Sequence, residues 1–140
     1  MTELARKRPE FRNINVTDLP GYRWPVASLV SGMHRASGVL MLVLLPLIIW
    51  MFDTSVSSEI SFGRFRSAFN TGASGVLLKL VALALIWAYL HHFTAGIRHL
   101  WMDVSHAAVS KQRGATSAKV TLVISLVLTV VLGAKLFGLY

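Results

Sequence analysis

Three stretches of this chain carry almost no charge, and no other feature limits its fold so severely. Ala36–Phe52 contains no charged residue. Leu80–Leu90 is apolar apart from the Tyr89 hydroxyl, and Val76–Leu78 extend it backward past Lys79. Val120–Ala134 is broken only by Thr121, Ser125, Thr129 and Gly133. A helix needs roughly 20 residues to cross a bilayer. Each stretch reaches that length with its flanks, giving expected spans at about 30–52, 76–99 and 118–138. Their apolar residues cover every face of a helix, the pattern of a helix solvated by lipid. Three such helices in a soluble chain of 140 residues would leave too little polar surface to cover them. Only 14% of residues are charged, against about 25% in a typical soluble domain. The expectation is an all-α integral membrane protein, a single membrane domain over residues 1–140 with three transmembrane helices.

The first apolar run starts behind a polar leader holding Pro9, Pro20 and Pro25. That is not the form of a cleaved signal peptide. With no cysteine, the chain alone can build no disulfide, zinc–thiolate or iron–sulfur site.

The formal charge is +8, which in a soluble protein would suggest nucleic acid. The positions of the charges point to the membrane instead, and no nucleic-acid partner is expected. Arg6, Lys7, Arg8, Arg12, Arg23 and Arg35 lie at or before the first span. Arg98, Lys111, Arg113 and Lys119 lie between the second and third spans. Basic residues favour the cytoplasmic side. The N-terminal arm, residues 1–29, is therefore expected in the cytoplasm, and Tyr140 on the periplasmic side. Three spans place the termini on opposite sides, in agreement. The first connection, Asp53–Ser74, is polar, and the spacing of Phe62, Phe65 and Phe69 predicts a helical segment over 59–69, lying at the interface. The second is expected over 104–118. Trp24, Trp50, Trp87 and Trp101 need no role beyond interfacial or helix–helix packing.

Polar residues inside a membrane are costly and mark candidate sites. One group enters the first span: Ser31, His34, Arg35, Ser37 and Gly38. Ser31 and Arg35 are four apart and share a helical face. A second group leaves the second span: His91, His92, Thr94, Gly96, Arg98, His99 and Asp103. His92, Gly96, His99 and Asp103 share one face. His92 lies about 10 Å deeper than His99 at helical rise. A neutral histidine there can hydrogen-bond another helix. Gly96, one turn away, leaves room for a flat group or a close helix, and an imidazole facing such a gap can ligate haem.

The expected topology brings both groups to the cytoplasmic side. Ser31, His34, Arg35, Arg98, His99 and Asp103 then form one polar layer, with His92 beneath it. Cations such as His34 and Arg35 suit haem propionates, and a hydroxyl with a guanidinium suits a quinone carbonyl. No second axial ligand is in reach within the chain. His91 points about 100° away, His99 is on the same helix, His106 lies beyond the span, and His34 is expected to sit too shallow. This is half of a haem site, completed by a partner.

These residues resemble the large cytochrome b membrane subunit of bacterial succinate dehydrogenase (succinate:quinone oxidoreductase). The resemblance runs over roughly residues 8–138. It includes Arg8-Pro9, Ser31-x-x-His34-Arg35-x-Ser37-Gly38, and His92-x-x-x-Gly96-Ile97-Arg98-His99-x-x-x-Asp103. It implies that His92 is an axial ligand of haem b iron, the other coming from a small membrane anchor subunit that completes the helical bundle. It implies that Ser31 and Arg35 line a ubiquinone site with Asp103 close by, and that His34 and Arg35 lie near the haem propionates. It further implies an iron–sulfur subunit and a flavoprotein as soluble partners, a bacterial inner-membrane location, and no succinate oxidation by this chain alone. The chain departs from the family at Glu10–Asn13, where many members have Ser-Pro, at Met33, and at His91, a position often aromatic. The four-residue spacing to Gly96 favours His92 as ligand. Rival readings are the anchor of a quinol:fumarate reductase and a haem-free membrane scaffold.

Overall fold

The computed structural model describes Asn13 and residues 15–140. The Arg8-Pro9 motif and most of the basic arm lie outside these residues. The described residues contain only helices and their connections. Val16–Gly21 form a short 3-10 turn, closed by Trp24, whose Nε1 donates to the Leu19 carbonyl at 3.0 Å.

Helix α1, Val26–Val43, continues into α2, Leu45–Val56, through a single irregular residue. Pro46 explains the break. It has no N–H for the helical ladder and its ring crowds the preceding turn, so the chain deviates at Leu44 (φ −89°, ψ 5°). The ladder resumes with Ile48 N–H donating to the Leu44 carbonyl at 3.0 Å. The first expected span is thus one bent rod. Helix α3, Glu59–Ala68, follows. It begins where the Ser58 Oγ accepts from the Ser61 N–H at 3.1 Å, an N-cap that satisfies one orphan donor.

The chain then turns at Gly72, whose φ of +48° favours glycine. It enters the longest helix, α4, Gly72–Val104. A second 3-10 turn, His106–Val109, leads to α5, Lys111–Leu136. Helices α1, α4 and α5 are long and apolar enough to cross a membrane. They overrun the expected spans because hydropathy marks only the apolar middle of a helix. The flanking turns at Gly72–Gly75, Leu100–Val104 and Lys111–Ser117 remain helical. The second connection shrinks accordingly, to Ser105–Ser110.

The three long helices pack pairwise, with α4 against both of the others. Small residues make the contacts, as is usual where no hydrophobic force drives helices together in lipid. Val30, Ala95 and Ala118 form a buried cluster between α1, α4 and α5, flanked by Val26, Ala27 and Leu122. At the other end of the bundle a Cβ on Gly133 would lie 2.8 Å from the Leu83 Cδ1. Large apolar side chains such as Leu42, Val43 and Val130 point outward, the inverse of a soluble domain and the arrangement a bilayer requires.

Candidate functional site

Helices α1 and α4 run antiparallel, and their register sets Gly38 beside His92 and His34 beside Gly96. The His92 ring lies on Gly38. A Cβ there would come within 3.0 Å of the ring Cε1 and 3.3 Å of Nδ1. Only glycine leaves the seat open. From it, Nδ1 lies 3.0 Å from the His34 backbone carbonyl. A carbonyl can only accept, so Nδ1 carries the proton. The neutral ring then keeps its lone pair on Nε2. The Ser37 Oγ, buried in the same contact, donates to the His34 carbonyl at 2.8 Å and lies 3.4 Å from Nδ1.

The His34 ring stacks on His92, centroids 4.1 Å apart and planes at 20°. It also lies 5.1 Å from the His99 ring. This corrects the expectation that His34 sits too shallow to meet His92. Its backbone is indeed about one turn nearer the helix start. Gly96 has no side chain, however, and the His34 Nε2 lies 3.7 Å from where a Gly96 Cβ would be. The room left by Gly96 is taken in part by this imidazole. The His34 ring thus bridges His92 and the shallower His99.

Ser31 is half-buried and Arg35 and Asp103 are exposed, and their positions along α1 and α4 put them at the same end of the bundle as His34 and His99. Arg98 does not join them. It lies about 120° around α4 from His92 and turns to α5, its Nε donating to the Ser117 Oγ at 3.0 Å and its Nη2 to the Gly114 carbonyl at 3.2 Å. The helical angle could have separated it from the layer.

His91, adjacent in sequence, faces the interior. It is fully buried and stacks on Trp87 at 5.6 Å. Its Nδ1 is 3.3 Å from the Ser125 Oγ on α5, and its Nε2 is 3.5 Å from the Val30 carbonyl on α1. Both ring nitrogens are directed at partners within the chain. The two neighbours thus differ: His91 ties the three helices, and His92 packs on α1 with no hydrogen bond to its Nε2 among the described residues. Sequence reasoning had no signal for Ser125, which looks like an ordinary polar interruption of an apolar run. No group of three or more His, Cys, Asp or Glu among the described residues could hold a metal ion.

The model of the succinate dehydrogenase/fumarate reductase transmembrane subunit family matches residues 7–132. Three succinate dehydrogenase cytochrome b556 subunits are similar to the chain. That of Coxiella burnetii is 30% identical over 87% of this chain and 94% of its own length. That of Rickettsia prowazekii is 25% identical over 74% and 73%, and that of Paracoccus denitrificans 30% over 65% and 67%. With its three apolar helices and its paired motifs on α1 and α4, the chain belongs to the succinate dehydrogenase/fumarate reductase transmembrane subunit family, in its cytochrome b branch.

Proposed function

We propose that this chain binds haem b and helps form the quinone-reducing site of a succinate:ubiquinone oxidoreductase in a bacterial inner membrane. The observation that carries the reading is the His92 imidazole, fixed by its Nδ1–H on the His34 carbonyl, while Nε2 makes no hydrogen bond among the described residues. Metal-ligating histidines almost always donate their other nitrogen to such a partner, which fixes ring orientation and raises ligand basicity. Gly38 supplies the close seat, and the His34 ring beside it provides a flat neighbour for a flat group. His34 and Arg35 are the groups for the propionates. When bound, haem b would supply a one-electron redox centre next to the quinone pocket. The second axial ligand would come from a small anchor subunit packed on the same groove. An iron–sulfur subunit and a flavoprotein would dock at the end carrying Ser31, which we place in the cytoplasm with the N-terminus; Tyr140 then faces the periplasm.

Ser31 and Arg35 do the chemistry this chain contributes to the substrate. Ubiquinone takes two electrons from the iron–sulfur partner and two protons, and negative charge builds on its oxygens as the electrons arrive. A guanidinium held at that oxygen stabilises the charge without reorganising, and the Ser31 hydroxyl adds a hydrogen bond. Asp103 and His99, at the same end of the groove, would deliver protons from cytoplasmic water. That the named relatives are succinate dehydrogenase subunits supports this direction of the reaction.

Replacing Arg35 tests the quinone assignment. In the assembled complex, Arg35→Ala is expected to lower succinate–ubiquinone reductase activity by about a hundredfold. Succinate oxidation by an artificial dye, which bypasses the membrane site, should be unchanged. Full quinone reductase activity in that variant would remove Arg35 from the site.

A further inference from the structure

Arg98 is 6% exposed, and both of its hydrogen bonds go to neutral oxygens, the Ser117 hydroxyl and the Gly114 carbonyl. Its Nη1 has no hydrogen-bond partner among the described residues and reaches the surface. A guanidinium buried this far without a counter-charge is costly. Clamping the α4–α5 turn accounts for two of its nitrogens but not for the charge. Arg98 lines a groove of about 490 Å³ between α4 and α5, and Arg113 lines it too. Among the described residues, no acidic one contributes to the lining. The α5 helix adds to the positive field, since its first turn has no acidic residue and Ser110 makes no side-chain cap, leaving the positive end of the helix dipole uncompensated. From this charged end the groove continues along Ile97, Trp101, Val120 and Ile124, four side chains that are all exposed. It lies on the other side of α4 from His92, so it is separate from the haem and quinone residues.

We propose that this groove binds one anionic phospholipid. Arg98 and Arg113 hold its phosphodiester, and an acyl chain lies along the apolar strip between α4 and α5. An anion at one end and a hydrocarbon at the other meet both halves of the groove, and basic pockets between transmembrane helices recognise anionic headgroups in this way. A free anion would leave the apolar strip unused, and a zwitterionic lipid would bring a headgroup ammonium against two guanidiniums and leave the net positive charge uncompensated.

The test uses the purified complex, delipidated in mild detergent and titrated with phosphatidylglycerol or phosphatidylcholine, with bound lipid counted by native mass spectrometry. The wild type is expected to retain phosphatidylglycerol in preference to phosphatidylcholine. Arg113 is exposed, so Arg113→Gln should leave thermal unfolding unchanged while lowering bound phosphatidylglycerol about fivefold, the worth of one interfacial cation. Arg98→Lys, which keeps the charge but loses the planar fork, should also weaken binding. Equal retention of the two lipids by the wild type, or unchanged phosphatidylglycerol binding in both variants, would overturn the proposal. Displacement of the lipid by inorganic phosphate at equal concentration would also overturn it, marking a site for free anions.

Discussion

A complex carrying Gly38→Val should lose most of its haem while still assembling in the membrane. The His92 ring occupies the space where a side chain at position 38 would begin, and even the first carbon would lie 3.0 Å from Cε1. Alanine asks the ring to yield by a few tenths of an ångström. The two further methyl groups of valine cannot be accommodated without turning the ring off the His34 carbonyl, which releases Nδ1 from the 3.0 Å bond. The ring would then lose both its orientation and its fixed tautomer. Loss of an outer partner of a metal ligand typically weakens metal binding by about ten- to a hundredfold, and haem per complex, measured by pyridine haemochrome assay, should fall on that scale. Gly38 is not among the residues of the three-helix core around Val30, so that core should still pack. Undiminished haem in Gly38→Val would show that the His92 seat is not needed for binding.

The opposite pattern is expected one residue away. His91→Ala should destabilise the bundle and keep the haem. His91 is fully buried and reaches α1 and α5 from α4. Truncation leaves a cavity and removes the stacking on Trp87. Emptying such a position costs about 2–4 kcal/mol, most of it lost packing. Little of that cost is polar, because the Ser125 hydroxyl still donates to the Leu122 carbonyl at 3.1 Å. The variant should unfold at lower denaturant concentration or temperature, and folded complexes should show a normal haem content per chain. A stable His91→Ala complex would mean that the histidine is a passenger in the core.

The contrast between these neighbours also shows where sequence reading succeeds. The pairing of the two motifs was legible because antiparallel spans must bring the start of one and the end of the other to the same side of the membrane. The preference for His92 followed from helical angle, since Gly96 and His99 lie on its face. What was not legible was the register between α1 and α4 to within a turn. The stacking of His34 on His92 depends on that register and on the empty side of Gly96. Depth counted along one helix cannot supply it. Arg98 was misplaced for a different reason: its depth fits the polar layer, but its angle around α4 sends it to Gly114 and Ser117. The bend at Leu44 had a plain signal in Pro46, whereas the helical extensions at Gly72 and Lys111 had none in hydropathy.

The central claim is that this chain contributes one haem ligand, His92, through its Nε2. The dithionite-reduced minus oxidised absorption spectrum of the purified complex tests it most directly, recorded for the wild type, His92→Ala and His91→Ala at equal protein. A sharp b-type haem signal in the wild type, absent from His92→Ala and present in His91→Ala, is the predicted result. A full signal in His92→Ala, or one lost only in His91→Ala, would contradict it.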